Sequence, residues 1–202
     1  MNKKKIVIIG AGGHGRVVTD IARLNGYTDI RFLDDNADNK YCNIDGKISD
    51  FVRYLGNYDF FVAIGDNNTR KQISGKLIDG GANIVTLIHP NAVISQGVKI
   101  GRGSVIMAGV VINTNVILGN GVIVNTSSSV DHDCVVGNYT HISVGAHIAG
   151  TVNIGKNVFV GAGATVINDV EICDDCQIGA GATVITNIKE SGTYIGVPVK
   201  KI

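Results

Sequence analysis

The chain has 202 residues, is 45% hydrophobic and carries a formal net charge of +1 at pH 7. That length allows one ordinary core or two small ones, and the near-neutral charge argues against a general nucleic-acid binder, which needs a basic face. The apolar run at residues 6–9 is too short for a signal peptide and no stretch could span a bilayer, so we expect a cytoplasmic protein without membrane insertion.

Up to His89, short apolar strands alternate with helical patterns. The predicted elements are a strand at Lys5–Ile9, a helix at Arg16–Asn25, strands at Ile30–Leu33 and Tyr58–Ile64, a helix at Asn67–Asp79 and a strand at Asn83–Leu87. Such alternation predicts a parallel sheet with helices packed on it. We therefore assign residues 1–88 to a small α/β, Rossmann-like domain.

The loop at residues 10–15 reads GAGGHG, which matches GxGxxG, and Asp34 follows about twenty residues later. Gly10 and Gly12 would let the backbone approach a phosphate at the helix N-terminus; alternatively, the glycines only make a tight turn. His14 either donates to a phosphate or caps the turn. Because about 88 residues cannot form a full dinucleotide fold, a nucleotide diphosphate that carries a sugar fits better than NAD.

From residue 94 to residue 184, an aliphatic residue returns at every sixth position. These positions are Ile94, Ile100, Ile106, Ile112, Leu118, Val124, Val130, Val136, Ile142, Ile148, Ile154, Val160, Val166, Ile172, Ile178 and Val184. A period of six fits neither a helix nor a simple strand alternation. It predicts a triangular β-solenoid in residues 89–202, with one hexapeptide per side and a C-terminal tail at Thr193–Ile202.

The cysteines and histidines do not predict a metal site. Cys173 and Cys176 form a CxxC pair, but they follow the hexapeptide register, so core packing is the better interpretation. His141 and His147 are six positions apart in the sequence and therefore lie on different faces of the solenoid. We expect no metal, and a zinc hydratase of the gamma carbonic anhydrase type is the least favoured function.

The segment at residues 125–134 is the most polar break in the aliphatic pattern. Within it, His132 follows an inward residue by two positions and is flanked by Asp131 and Asp133. An imidazole beside a carboxylate can act as a general base near neutral pH. The residues alone do not decide which of the two carboxylates orients the ring.

One turn of the solenoid takes three hexapeptides, so Gly150 should stack over His132 at the inter-strand spacing of about 4.8 Å. An N–H beside a base is well placed to stabilise an oxyanion in acyl transfer. Alternatively, Gly150 is only a corner glycine.

Five segments occur in a recognisable order: the GAGGHG loop, the Asp34–Asp35 pair, FFVAIGDN at 60–67, the polar segment at 125–134 and HISVGA at 141–146. The chain resembles the sialic acid O-acetyltransferase family of hexapeptide acyltransferases over its whole length. It is most similar to the branch that N-acetylates UDP-4-amino sugars, the UDP-N-acetylbacillosamine-forming enzymes.

The resemblance implies a left-handed parallel β-helix, acetyl-CoA as cosubstrate and a homotrimer with each active site between two solenoids. It implies that His132 is the general base, Asp133 its acidic neighbour and the Gly150 amide the oxyanion donor. It places His141, Ala162 and Ala180 against acetyl-CoA. The implied UDP-sugar pocket contains Gly12, Gly13, His14, Asp34, Asp35 and Gly65. The branch typically has Glu around the base, where this chain has Asp131 and Asp133.

We therefore predict direct acetylation of the 4-amino group of a UDP-4-amino-4,6-dideoxy sugar. The alternative within enzymes is O-acetylation of sialic acid or another sugar hydroxyl. A different class is a non-catalytic nucleotide-sugar sensor or a structural solenoid. Acid–base residues concentrated in one segment argue against this class, because an inert solenoid does not need them.

Overall fold

The computed structural model describes residues 4–36 and 42–202. The chain divides into two compact units, Met1–His89 and Pro90–Ile202. None of the helices in the described ranges is long and apolar enough to cross a membrane.

The N-terminal unit is a parallel sheet with helices. Its elements are β1 (Lys4–Ile9), α1 (Gly13–Leu24), β2 (Tyr27–Leu33), a 3₁₀ helix (Ile48–Tyr54), β3 (Asp59–Val62), α2 (Asn67–Asp79) and β4 (Leu87–Ile88). The sheet order is β2-β1-β3. The central strand β1 is buried from Ile6 to Ile9 because it has a neighbour on both sides. This unit confirms the predicted Rossmann-like architecture.

Two local predictions in this unit are wrong. The first helix begins at Gly13 rather than Arg16, because the glycine loop itself supplies the N-cap residue, Gly12, and the first turn. Of the strand expected at Asn83–Leu87, only the last residue lies in a strand, since β4 begins at Leu87 and Ile84 makes only an isolated bridge to Phe60. The short 3₁₀ helix was not predicted, because its apolar residues follow no clear period.

The second unit, every residue of which is described, is a β-solenoid with three sheets. The first contains β7 (Val105–Ile106), β10 (Ile123–Val124), β13 (His141–Ile142), β16 (Phe159–Val160), β19 (Cys176–Ile178), β21 (Gly192–Ile195) and β22 (Lys200–Lys201). The second contains β5 (Val93–Ile94), β8 (Val111–Ile112), β11 (Ser129–Val130), β14 (His147–Ile148), β17 (Thr165–Val166) and β20 (Thr183–Val184). The third contains β6 (Lys99–Ile100), β9 (Ile117–Leu118), β12 (Val135–Val136), β15 (Asn153–Ile154) and β18 (Glu171–Ile172).

The coils stack in register, so each residue lies over its counterpart one complete coil earlier in the sequence. Ser129, for example, pairs in parallel with Val111 below and His147 above. From Ile106 to Val184, every aliphatic residue of the six-residue repeat is buried. The sequence period therefore gives both the core and the neighbours of each residue.

Tight corners join the sides of the solenoid. In each of these corners, the residue three positions after the inward aliphatic residue has a left-handed backbone conformation. Eight non-glycine residues lie there with φ between 56° and 61°: Asn115, Ser127, Asp133, Tyr139, Thr151, Asn157, Asp169 and Asp175. Asn and Asp tolerate this conformation better than other side chains. Corner side chains that are one coil apart in the sequence therefore lie over one another.

The C-terminal segment differs from the predicted tail. Strand β21 pairs in parallel with β19, and β22 returns antiparallel to β21. The last residues thus extend one sheet of the solenoid by a hairpin. The hexapeptide pattern could not indicate this because it ends at Val184.

Candidate active site

His132 lies at the corner between β11 and β12. Its side chain is 47% exposed. The backbone on both sides of it is fixed to other coils, because Asp133 N–H donates to the Thr114 carbonyl at 3.0 Å and Thr151 N–H donates to the His132 carbonyl at 2.9 Å. A solvent-accessible imidazole is therefore held on a rigid corner.

The two carboxylates beside His132 contact different parts of it. Asp133 Oδ2 lies 2.9 Å from the imidazole Nδ1. Asp131 Oδ1 instead accepts from the backbone N–H of His132 at 2.7 Å. Asp133 is thus the carboxylate that orients the ring, a choice that the sequence left open.

The hydrogen bond to Asp133 is the main cause that raises the pKa of His132 above its ordinary value, and the charge of Asp131 adds to it. With Nδ1 donating to the carboxylate, Nε2 carries the lone pair and can accept a proton. The arrangement is that of a general base with a fixed tautomer.

Gly150 lies directly over this ring. A Cβ at position 150 would be 2.5 Å from Nε2 and 2.6 Å from Cε1 of His132. Only a glycine leaves Nε2 room. Among the described residues, the Gly150 N–H has no hydrogen-bond acceptor.

Equivalent corner amides differ in whether a side chain caps them. The Lys156 N–H donates to Asp174 and the Asn120 N–H donates to Asn138, each one coil above. Within the described part of the chain, the N–H groups of Ala162 and Ala180 have no such acceptor. These two alanines are exposed, one coil apart at the same corner, so their amides can serve a ligand carbonyl.

His141 lies away from the His132 corner, on β13, and is only 7% exposed. Its Nε2 lies 3.1 Å from Asn125 Nδ2, and its ring packs edge-on against Phe159 with centroids 5.2 Å apart. The assignment of His141 to acetyl-CoA stays a prediction.

A cavity of about 230 Å³ lies beside the His132 corner, on the face of β11 and β14. Asp131 and Ser129 line it together with His147, whose Nδ1 lies 2.9 Å from Ser129 Oγ. This polar cavity is not among the features predicted from the sequence. The signal that could have found it is the coil length, which places His147 one coil after Ser129.

In the N-terminal unit, the glycines of the loop fall into two kinds. A Cβ on Gly10, which has φ +97°, would lie 2.9 Å from the Ala63 carbonyl oxygen, and a Cβ on Gly15 would collide with the Gly10 carbonyl. A Cβ on Gly12 or Gly13 would meet nothing within 4 Å. Gly10 and Gly15 are therefore required for packing, whereas Gly12 and Gly13 leave open space at the N-terminus of α1.

The two aspartates after β2 have different partners. Asp34 accepts from the Ala11 N–H at 2.8 Å and from the Asn36 N–H at 2.9 Å, so it ties the glycine loop to the end of β2. Asp35 accepts from the Ile48 N–H at 3.0 Å and lines cavities of about 540 and 480 Å³, the second of which Asp34 also lines.

Arg70 lies behind this loop, and the sequence does not single it out. It is 1% exposed, and its Nη1 donates to the Ile64 and Gly65 carbonyls at 3.0 and 2.9 Å. Burial and the charge of Arg70 lower the pKa of His14 to about 4, so that its ring is neutral at pH 7. Its buried Nε2 has no hydrogen-bond partner among the described residues. A buried nitrogen without a partner is a candidate contact for a bound ligand.

The described residues contain no group of three His, Cys, Asp or Glu side chains that could hold a metal ion. Cys173 and Cys176 face each other, with their sulfurs 3.5 Å apart, and Cys176 is fully buried in the solenoid.

Known protein families match both units. Residues 5–77 match the PglD N-terminal domain, residues 90–114 the hexapeptide repeat of succinyl-transferase, and residues 151–186 the bacterial transferase hexapeptide. The acetyltransferase domain of PglB from Neisseria gonorrhoeae FA1090, solved with acetyl coenzyme A, is 37% identical, with a TM-score of 0.94 over 100% of both chains. The chain belongs to the hexapeptide acyltransferase family. The family predicted from the sequence is confirmed.

Two further relatives are similar to this chain, one over nearly its whole length and one over about half of it. PerB from Caulobacter crescentus, solved with CoA and GDP-perosamine, is 38% identical, with a TM-score of 0.94 over 98% of this chain and 97% of that one. UDP-N-acetylbacillosamine N-acetyltransferase from Bacillus subtilis (strain 168) is 34% identical over 115 residues. That match spans about half of each protein, 52% of this chain and 52% of the relative.

Proposed function

We propose that this protein is an acetyl-CoA-dependent N-acetyltransferase that acetylates the 4-amino group of a UDP-4-amino-4,6-dideoxy sugar. The observation that carries the proposal is the His132–Asp133 pair beneath an uncapped Gly150 amide. Relatives solved with acetyl coenzyme A and with CoA plus GDP-perosamine support the acyl donor and a nucleotide-linked sugar acceptor. The relative from Bacillus subtilis supports UDP as the nucleotide.

The reaction is a direct transfer. The sugar amine attacks the thioester carbonyl, so a C–N bond forms and the C–S bond breaks. His132 Nε2 takes the proton that the amine loses, and the imidazolium returns it to the departing CoA thiolate. Asp133 stabilises the imidazolium, and the Gly150 N–H donates to the oxyanion of the tetrahedral intermediate.

The acyl donor would lie along the corner that contains Ala162 and Ala180. Pantetheine carries two amide carbonyls, and the two uncapped N–H groups one coil apart can each donate to one of them. Because these contacts use the backbone, the small side chains matter only in leaving access. His141 would contact acetyl-CoA at the edge of this groove, as the resemblance implies.

The N-terminal unit would hold the nucleotide. Gly12 and Gly13 give a diphosphate room at the N-terminus of α1, where the helix dipole and free N–H groups favour negative charge. The unpaired Nε2 of His14 would donate to a phosphate oxygen or accept from a sugar hydroxyl, depending on its tautomer. Asp34, Asp35 and Gly65 would form the rest of the pocket. We also infer a homotrimer with sites between solenoids, which light scattering of the purified protein would test.

The test is mass spectrometry of the products formed from acetyl-CoA and a panel of UDP-, GDP- and dTDP-linked 4-amino sugars. We expect one acetyl group to be added to a UDP-linked sugar. In the same assay, His132→Asn keeps a side chain of similar shape but removes the base, and we expect kcat to fall about 10²–10⁴-fold. Free sialic acid serves as the hydroxyl-bearing comparison.

Wild-type turnover in His132→Asn would contradict the mechanism. Acetylation of GDP-linked sugars only would overturn UDP while leaving the reaction class intact. Acetylation of sialic acid but of no amine would favour the O-acetyltransferase.

A further inference from the structure

A hydrogen-bonded series of side chains runs from the coil below into the His132 ring. Asn115 Nδ2 donates to Asp133 Oδ1 at 3.0 Å, and the other carboxylate oxygen, Oδ2, lies 2.9 Å from His132 Nδ1. Asn115 and Asp133 are one coil apart and occupy the same left-handed corner position, with φ 60° and 59°. Both oxygens of the Asp133 carboxylate are thus hydrogen-bonded, one to Asn115, which we call the anchor of Asp133, and one to the imidazole.

We propose that Asn115 is a positioning residue that acts through Asp133 to fix the orientation and basicity of the His132 imidazole. The inference deepens the proposed function and rests on His132 being the base. Asp133 is 47% exposed, so its carboxylate would otherwise sample several rotamers. The amide of Asn115 selects the one that faces Nδ1.

A parallel contact serves the other carboxylate. Asn113 Nδ2 donates to Asp131 Oδ1 at 2.7 Å, and the same oxygen accepts from the His132 backbone N–H. This second pair holds the main chain and leaves the ring to Asp133. The two asparagines of one coil thus anchor the two carboxylates of the next, but only Asn115 is coupled to the imidazole.

The charges that face His132 come from two coils. Asp131 and Asp133 flank it, and Asp169 acts on it from two coils above at the same corner. Asp169 accepts from the Thr151 hydroxyl, so it too is held in place. The neighbouring thiol of Cys134 has a raised pKa because it is buried, and it stays neutral near pH 7. A change at Asn115 leaves all of these groups intact except the anchor of Asp133.

The solenoid contains a matched contact without a histidine. Asn157 Nδ2 donates to Asp175 Oδ1 at 2.6 Å, again between left-handed corner residues that are one coil apart. Asp174 occupies the position that corresponds to His132, and Lys156 occupies the one that corresponds to Thr114. Loss of the Asn157 amide therefore removes the same kind of bond without touching the proposed base.

The experiment compares Asn115→Gly with Asn157→Gly. Glycine removes the side chain and tolerates the left-handed φ, whereas alanine would add backbone strain. Asn115→Ser is a second variant, because Ser127 already occupies an equivalent corner with φ 56° and a serine hydroxyl is one bond shorter. Measurements are kcat/KM against pH, and titration of the His132 ring by NMR, with His132→Asn assigning the signal.

For Asn115→Gly we expect kcat/KM to fall about tenfold, the size of one lost hydrogen bond to a charged group. The hydrogen bond from His132 to Asp133 raises the pKa of His132. If Asp133 is no longer held in place, that pKa should fall toward about 6.5, and the acidic limb of the kcat/KM profile should move to lower pH. Asn115→Ser should behave alike, and Asn157→Gly should leave both measurements unchanged.

An unshifted His132 titration in both Asn115 variants, or an equal shift in Asn157→Gly, would overturn the inference. The NMR titration does not need a substrate. Failure of the wild-type protein to acetylate any amino sugar therefore rejects the proposed function separately, while the ring titration still tests the anchor.

Discussion

The His132 corner of the solenoid and the glycine loop of the N-terminal unit both depend on glycine, but the neighbours of their glycines are set differently. Gly150 lies over His132 because every coil has the same length, so counting along the sequence finds the contact. In the N-terminal unit, a Cβ on Gly10 would contact Ala63, and a Cβ on Gly15 would contact Gly10. No sequence repeat predicts the contact between Gly10 and Ala63. The role of a glycine in the solenoid can thus be derived from the register of the coils. The roles of the loop glycines can be seen only in the three-dimensional structure.

The sharpest way to break this comparison is Gly150→Ala. The new methyl group would overlap the imidazole, so the ring must turn and move Nε2 away from the position that the proposed mechanism requires. A misplacement of about 1 Å can cost about 10²-fold in rate, and we expect at least that loss in kcat. The backbone itself tolerates alanine there, because Ala108, Ala162 and Ala180 occupy the equivalent corner position.

Thermal melting supplies the control for Gly150→Ala. The ring is half exposed and can move, so we expect little change in stability. A rate equal to that of the wild type would show that the ring and residue 150 are not stacked in solution.

The second prediction sharpens the comparison within the N-terminal loop. In Gly15→Ala the new Cβ collides with a backbone oxygen that cannot move aside, and we expect the free energy of unfolding to fall by about 1–3 kcal/mol. Gly13→Ala meets open space and should fold normally. It should nevertheless raise the KM for the nucleotide sugar about tenfold, or ~1.4 kcal/mol of lost binding.

Urea unfolding and steady-state kinetics separate these two variants. Equal stability of Gly13→Ala and Gly15→Ala would contradict the division into packing and ligand-facing glycines. An unchanged KM in Gly13→Ala would contradict the placement of a phosphate in the open space beside Gly13.

The smallest effect is expected from Gly75→Ala. Gly75 lies inside α2, an added methyl group there would meet no atom within 4 Å, and its φ is not left-handed. Alanine has the higher helix propensity and restricts the unfolded chain, so the protein should gain about 0.5–1 kcal/mol. A calorimetric melting temperature that falls instead would show an unseen role for this glycine.

The sequence predicts the solenoid far better than the N-terminal unit. The six-residue period gives the buried residues and the stacking of Gly150 on His132, because identical coils repeat identical contacts. The same register places Asn113 and Asn115 one coil before Asp131 and Asp133, so these two anchors are also within reach of counting.

Other features could not be predicted because they depend on local rotamers or on tertiary contacts. The choice between Asp131 and Asp133 is set by which carboxylate turns toward Nδ1. The buried Arg70 lies behind the glycine loop only because β1 and β3 are neighbours in the sheet. Single-sequence patterns carry no signal for either.

The constant length of the coil also limits how such a protein can change its size. Insertion of one residue between β9 and β11 would shift every later residue by one position in the register, and His132 would move away from Asn115. Duplication of a whole coil beyond β17 would instead lengthen the solenoid and leave the corner around His132 as it is. Growth or shortening of this chain by complete turns is therefore compatible with the proposed chemistry, whereas single-residue drift inside the coils is not.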